Sequence, residues 1–157
     1  MTPRTLLLAI TTTAVGAAVA FEATHVVVTD DATVYDELHP YEDAYVIASP
    51  PYWTLAHCET VGTPQSYRTY CYVTLPDGVA GLAEWEYFGK LVVARAALTL
   101  ATGPGGDQPA AAVPAGELLA RVGEENTPAG ETWLEVVTAD RRRGWVRAAD
   151  AGPYTLK

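Results

Sequence analysis

The sequence predicts an all-β protein made of two small barrels in tandem. Short runs rich in β-branched and aromatic residues alternate with turn-forming Gly, Pro and Asp throughout the chain after residue 20. No segment keeps a sustained period of 3.6 residues, so the pattern does not favour helices. An internal repeat is the second observation, because residues 69–88 and 132–151 align without a gap.

The repeat has a constant offset of 63 positions. Each copy is a strand that ends on an aspartate turn and continues through a Gly–apolar pair into a second short strand. The aligned pairs are Tyr70 with Trp133, Val73 with Val136, Asp77 with Asp140, Gly81 with Gly144, and Leu82 with Trp145. The sequence therefore predicts two copies of one small domain, over residues 21–89 (the first half) and 90–157 (the second half).

Residues 1–20 have the features of a signal peptide rather than of a folded element. A short positive segment containing Arg4 precedes an uncharged apolar run, and Ala18-Val19-Ala20 fits the small-x-small cleavage rule. The apolar run is shorter than the roughly 20 residues that a membrane span needs. We expect a periplasmic or secreted protein with no membrane span after signal removal; a retained N-terminal anchor is the alternative.

The first half is expected to contain short strands separated by turns and one protruding loop. Residues 36–43 are acidic, contain Pro40 and have no regular period, which predicts that loop. Pro50-Pro51 interrupts the strand pattern, and Pro76-Asp77-Gly78 predicts a tight turn. The predicted strands are His25–Thr29, Ala32–Tyr35, Ala44–Ala48, Tyr52–Cys58, Tyr67–Leu75 and Gly81–Phe88.

The second half repeats this order of strands and turns. Its predicted strands are Ala97–Leu100, Leu118–Val122, Trp133–Thr138 and Gly144–Arg147, and Trp145 is expected to be a core residue. Only Gly89-Lys90 separates the two halves, so we expect them to pack closely. Close packing would stabilise domains of this size, because small domains bury little surface.

Cys58 and Cys71 are the only cysteines, and export would expose them to oxidation. A hairpin centred between Pro64 and Gln65 places them directly opposite each other, with Cβ atoms ~4.5–5.5 Å apart. The sequence therefore predicts a disulfide, worth ~3 kcal/mol in the chain-entropy model. A catalytic thiol activated by His57 is disfavoured, because adjacent strand residues point to opposite faces.

Charge and tyrosine are distributed unequally between the halves. Residues 21–89 contain eleven acids and one base, whereas residues 90–157 contain eight of each. Eight of the nine tyrosines precede residue 90. An acidic surface of this kind excludes nucleic acids and anionic membranes as expected partners.

Four landmarks of the second half resemble those of bacterial SH3-like (SH3b) domains. They are Ala97–Leu100 with Gly103-Pro104-Gly105, then Val113–Glu117, Trp133–Val136 and Gly144-Trp145-Val146, in the family's order. Ala101 stands where the family has arginine, and in the first half Gly81-Leu82-Ala83 replaces the closing Gly-Trp-Val. The resemblance implies two SH3-like barrels and an extracytoplasmic binding module, whose relatives bind cell-wall peptides or proteins.

The candidate ligand site is the acidic loop of the first half with aromatic side chains around it. Flat rings supply contact area at low entropic cost, and carboxylates select basic or amine-bearing ligands. The alternative is that the rings belong to the core and the acids form a solvated rim. The predicted site residues are Tyr35, Asp36, Glu37, His39, Tyr41, Glu42, Asp43, Tyr52, Trp53 and Tyr87.

The expected function is non-enzymatic binding of a cell-envelope peptide or protein by a monomer. The ligand would be a peptidoglycan stem peptide or a basic, proline-containing segment. Alternatives are an inhibitor of an envelope protein, similar to an immunity protein, and a small hydrolase. No catalytic motif, cofactor motif or metal-ligand spacing is present in the sequence. The run Arg141-Arg142-Arg143 predicts a solvated turn or a contact with an acidic surface such as the first half.

Overall fold

The computed structural model describes residues 23–36, 45–61, 70–106 and 108–154. The expected signal peptide and most of the acidic loop lie outside these ranges. The described residues form strands, turns and two single turns of 3-10 helix, at Trp85–Tyr87 and Ala148–Asp150, which confirms the all-β class. The strands are β1 (Ala23–Val28), β2 (Val34–Tyr35), β3 (Val46–Ala48), β4 (Leu55–Val61), β5 (Tyr70–Thr74), β6 (Ala80–Glu84), β7 (Phe88–Ala94), β8 (Leu98–Ala101), β9 (Pro109–Val113), β10 (Leu118–Asn126), β11 (Thr132–Val137), β12 (Arg143–Arg147) and β13 (Ala151–Pro153).

All strand pairs are antiparallel and belong to one connected sheet. Its strand order is β3-β2-β6-β5-β4-β1-β7-β10-β11-β12-β8-β9, and β13 pairs with β7 beside the end of β1. The order β3-β2-β6-β5-β4-β1-β7 recurs in the second half as β9-β8-β12-β11-β10-β7-β13. The internal repeat is therefore also a repeat of strand connections. β12, the second 3-10 turn and β13 each begin 63 residues after β6, the first 3-10 turn and β7.

The strand β7 crosses the expected boundary between the halves. Gly89-Lys90, expected to be a linker, lies inside this strand, which pairs with β1 through residues 88–90 and with β10 through residues 90–93. A Cβ atom on Gly89 would lie 2.6 Å from the Cβ of Ala120. The glycine thus permits the close approach of β7 and β10 that joins the halves without a loop.

Three clusters of buried side chains lie among the described residues and hold the sheet together. The first core belongs to the first half and extends from Val26 to Phe88. The second core belongs to the second half and extends from Val92 to Ala151. A third, smaller cluster contains Val27, Leu91, Ala120 and Val137, with Trp53 packed against it. Because successive residues of β1 and β7 point to opposite faces, the same strands supply the third cluster from their other side.

Cys58 and Cys71 form the predicted disulfide, with their Cα atoms 5.5 Å apart. The predicted pairing of the strands is wrong by two residues, because Cys58 lies opposite Val73 and Cys71 lies opposite Thr60. The cysteines are therefore diagonal neighbours on one face of the hairpin. A shift of two residues keeps both side chains on the same face, which is why the disulfide survives this change in register.

The expectation that Trp145 is a core residue is wrong. In β12 the buried positions are Gly144 and Val146, and Trp145 between them is partly exposed. A Cβ atom on Gly144 would lie 2.6 Å from the Cβ of Leu100, so the glycine side faces the interior. Alternation along the strand then places the indole on the outer face.

Candidate functional site

A row of side chains crosses four strands on the outer face of the first half. Tyr72 of β5 lies directly opposite Leu82 of β6, Leu82 opposite Tyr35 of β2, and Tyr35 opposite Val46 of β3. Directly opposed residues on neighbouring strands project to the same face and contact each other. We call Tyr72, Leu82, Tyr35 and Val46 the tyrosine row.

The tyrosine row faces outward because the residues next to its members in the chain face the core. Cys71 and Val73 flank Tyr72 in the chain and are fully buried in the first core. Gly81 also faces inward, where a Cβ atom would lie 2.2 Å from the carbonyl oxygen of Tyr35. This glycine lets β2 cross β6 closely. Alternation along β6 then places the next residue, Leu82, on the outer face, directly opposite Tyr35.

Apolar surface is exposed at the two ends of the tyrosine row. Tyr72 is 44% exposed and Val46 is 57% exposed, whereas Leu82 between the two tyrosines is only 7% exposed. Within the described residues, the large hydrophobic side chains that are exposed all belong to the first half: Tyr45, Val46, Ile47, Leu55 and Tyr72. Exposed apolar side chains concentrated in one region of a protein are typical of an interaction site.

Carboxylates stand at both ends of the tyrosine row. Glu59 of β4 lies directly opposite Tyr72. At the other end, Asp36 follows Tyr35 and exchanges two hydrogen bonds with Tyr45: the Tyr45 amide donates to Asp36 Oδ1 at 2.9 Å, and the Asp36 amide donates to the Tyr45 carbonyl at 3.1 Å. These bonds join the two ends of the acidic loop at the tyrosine row.

Half of the predicted site lies outside the described residues, namely Glu37, His39, Tyr41, Glu42 and Asp43. Of the described half, Tyr35 and Asp36 belong to the tyrosine row or adjoin it. Tyr87 packs against the first core from its 3-10 turn, and its carbonyl accepts a hydrogen bond from the Thr29 amide. Sequence analysis missed Tyr72, Leu82 and Val46. For Tyr72 the sequence holds one signal, the alternation along β5, in which Tyr72 lies between inward-facing residues.

Tyr52 and Trp53 contact the second half of the molecule. The Tyr52 hydroxyl donates a 2.6 Å hydrogen bond to the carbonyl of Thr138, and the guanidinium of Arg141 lies 4.1 Å from the centre of the Tyr52 ring. Trp53 packs on the third cluster. We call this meeting of residues 52–53 with residues 138–142 the turn contact. Its two aromatic side chains serve the packing between the halves.

The turn contact combines two backbone positions that are unfavourable for their side chains. Within the described chain, Trp53 and Arg141 are the residues other than glycine with positive φ, 66° in each case. A bulky residue in the left-handed region costs about 1–3 kcal/mol and persists only where surrounding contacts hold it. Packing of Trp53 and stacking of Arg141 on Tyr52 are the contacts that hold these two.

Ionisation in the turn contact follows its hydrogen bonds. Burial raises the pKa of Tyr52, and Arg141 opposes that shift only in part, so the hydroxyl remains a donor at neutral pH. The hydrogen bond from Thr138, and then that from Arg142, lowers the pKa of Asp140. Arg142 is held by Asp140 at 2.8 Å and by Glu117 at 3.2 Å. The arginine run is thus a paired structural turn as well as a contact with the first half.

The described residues contain no group of three His, Cys, Asp or Glu side chains arranged to hold a metal ion. In the same part of the chain, no helix has the length and apolar character to cross a membrane. No family model matches the chain, and no curated protein matches it. The resemblance to SH3b domains therefore stays a prediction.

Proposed function

We propose that this chain is an extracytoplasmic, non-enzymatic binding protein made of two SH3-like barrels, and that the tyrosine row binds a cationic extended segment of an envelope protein. The observation that carries this proposal is the cross-strand tyrosine row between Glu59 and Asp36, in which Tyr72 and Val46 are exposed. The Cys58–Cys71 disulfide supports an oxidising, extracytoplasmic location.

The dimensions of the tyrosine row indicate the size of its ligand. Neighbouring strands are ~4.8 Å apart, so a row across four strands is about 15 Å long. That length corresponds to about five residues of an extended peptide. Rings of Tyr72 and Tyr35 would supply apolar contact, and the carboxylates at both ends would attract Lys or Arg side chains.

The second half does not offer an equivalent surface. The positions that correspond to Tyr72, Leu82, Tyr35 and Val46 are Glu135, Trp145, Ala101 and Pro109, which are opposed in the same order. Glu135 there forms an ion pair with Arg143 at 3.1 Å. A cationic ligand would have to displace this internal partner, so we assign binding to the first half.

Binding of short synthetic peptides tests the proposal. An extended peptide containing Arg and Pro should bind, and the same peptide with Glu in place of Arg should not. Replacing Tyr72 by Ala should weaken binding by about tenfold, the effect of a typical aromatic anchor. The matched control is Leu55→Ala, which removes a similarly exposed side chain from β4 outside the tyrosine row.

Three results would decide between the proposal and its alternatives. Weaker binding at high salt is expected, because rim charges are screened over ~8 Å at physiological ionic strength. Equal binding of the Arg and Glu peptides would refute the tyrosine row as a cation-selective site. Retention on purified peptidoglycan that Tyr72→Ala leaves unchanged would instead favour a stem-peptide ligand bound elsewhere.

A further inference from the structure

A cleft of about 460 Å³ lies where the two halves share strand β7. It is lined by residues of β1, β7, β10, β11 and β13, together with Tyr154 at the end of the described chain. We call it the central cleft. It is separate from the tyrosine row, whose residues do not line it.

Two cationic side chains face each other in the central cleft. Lys90 of β7 lies directly opposite Arg121 of β10, so both project to the same face. Like charges in this position destabilise a sheet. Glu124 approaches Arg121 at 3.4 Å in a pair whose side chains are 47% and 39% exposed, whereas no carboxylate of the described residues pairs with Lys90. The central cleft therefore has an excess of positive charge in an otherwise acidic protein.

The rest of the lining is partly apolar and partly polar. Val92, Leu134 and Pro153 contribute apolar surface, His25 contributes an imidazole, and Thr132 and Tyr154 contribute hydroxyls that can donate hydrogen bonds. Concave sites that combine apolar walls with a few convergent polar groups are typical of small-ligand sites. The negative charge of the first half is screened at physiological salt beyond ~8 Å, so the local cations determine which charge is attracted.

We propose that the central cleft binds a small ligand with one carboxylate and an apolar body, of the kind presented by the C-terminal end of a peptide. Lys90 and Arg121 would both donate hydrogen bonds to the carboxylate. Its negative charge between the two cations would offset their repulsion. The walls of the cleft would contact the apolar body. This site lies outside the proposed function, since its ligand has the opposite charge.

The test uses N-acetyl-leucine, its uncharged amide and inorganic phosphate, each titrated into the folded protein by calorimetry or NMR. Saturable binding of N-acetyl-leucine is expected, with at least tenfold weaker binding of the amide. Lys90→Gln and Arg121→Gln should each weaken binding at least tenfold. Arg143→Gln removes an exposed cation of another surface and should leave binding unchanged.

Thermal melts of the same variants keep the result interpretable. Lys90→Gln should raise the melting temperature at low salt, because it removes the repulsion from Arg121, and saturating N-acetyl-leucine should abolish that difference. Equal binding of the acid and the amide would overturn the proposal. So would binding of phosphate without binding of N-acetyl-leucine, or binding that both Gln variants retain.

Discussion

The two halves have the same strand connections but fill their cores by different means. Where the second half has Leu119 and Leu134, the first half has Ala56 and Cys71. Smaller core residues bury less apolar surface, and the first half compensates with a disulfide. Two halves with the same strand connections are thus stabilised differently, one by leucines and the other by a covalent link between neighbouring strands.

The halves differ just as much on their surfaces. Four of the six described arginines of the second half pair with acids of the same half, among them Arg142 with Glu117 and Arg143 with Glu135. The first half contains eleven acids and a single base, so its carboxylates have almost no cations of their own. The second half therefore pairs most of its arginines internally, whereas the first half has a large excess of negative charge.

The turns show a third difference between the halves. The Trp53 amide donates a hydrogen bond to the Val28 carbonyl, and the Gly116 amide donates one to the Ala94 carbonyl. Each accepting residue lies in the first strand of its half, so Trp53 and Gly116 occupy equivalent positions. In the same way, Arg141 corresponds to Gly78. Each half thus uses glycine at one left-handed position and a large side chain at the other. The two large side chains both lie in the turn contact, where packing offsets the strain.

Leu119→Ala is expected to have the largest effect on stability. Leu119 is fully buried in the second core, and its truncation should lower the free energy of unfolding by ~2–5 kcal/mol. Urea denaturation measures this loss. Trp145→Ala is the comparison, because a partly exposed side chain should cost less. A loss for Trp145→Ala that equals or exceeds that of Leu119→Ala would contradict the outward orientation of the indole.

Removing the disulfide tests the compensation in the first half. The double substitution Cys58→Ala and Cys71→Ala should lower the free energy of unfolding by about 3 kcal/mol. Denaturation of the wild-type protein with a reducing agent should give a similar loss, and the variant should not respond to the reductant. If reduction leaves the wild-type protein as stable as before, the disulfide does not compensate for the smaller core.

Tyr52→Phe tests the turn contact between the halves. The substitution keeps the ring under Arg141 but removes the hydrogen bond to the Thr138 carbonyl, so a loss of about 1 kcal/mol is expected. Tyr72→Phe, at an exposed tyrosine of the tyrosine row, is the control and should change stability little. Equal effects of the two substitutions would mean that the Tyr52 hydroxyl contributes nothing to the contact.

The smallest predicted effect is an acid sensitivity that arises in the second half. Because the pKa of Asp140 is lowered in the fold, its contribution to stability is present above the ordinary pKa of a carboxyl group. It is lost as the pH falls through the lower pKa of the folded state. Asp140→Asn should therefore melt earlier than the wild-type protein at neutral pH, and the two melting temperatures should converge in acid. A constant difference at all pH values would contradict this linkage.

The sequence alone determined the all-β class, the repeat and the disulfide. These depend on local chemistry: alternation along strands, Gly, Pro and Asp in turns, and two cysteines in one hairpin. It also predicts that the candidate site lies in the first half, with Tyr35 and Asp36 among its residues, and this stays a prediction. A repeat preserved at a constant offset needs no tertiary information to be recognised.

Only the tertiary structure decided which faces and which partners the side chains have. Tyr72 and Tyr35 are 37 positions apart in the sequence and meet through Leu82, a contact that depends on strand order and register. Tyr52 and Trp53 are predicted members of the ligand site, and the structure packs Tyr52 against the second half and Trp53 on the third cluster. The physical reason is that side chains alternate every residue along a strand, so strand pairing rather than composition sets what each ring touches.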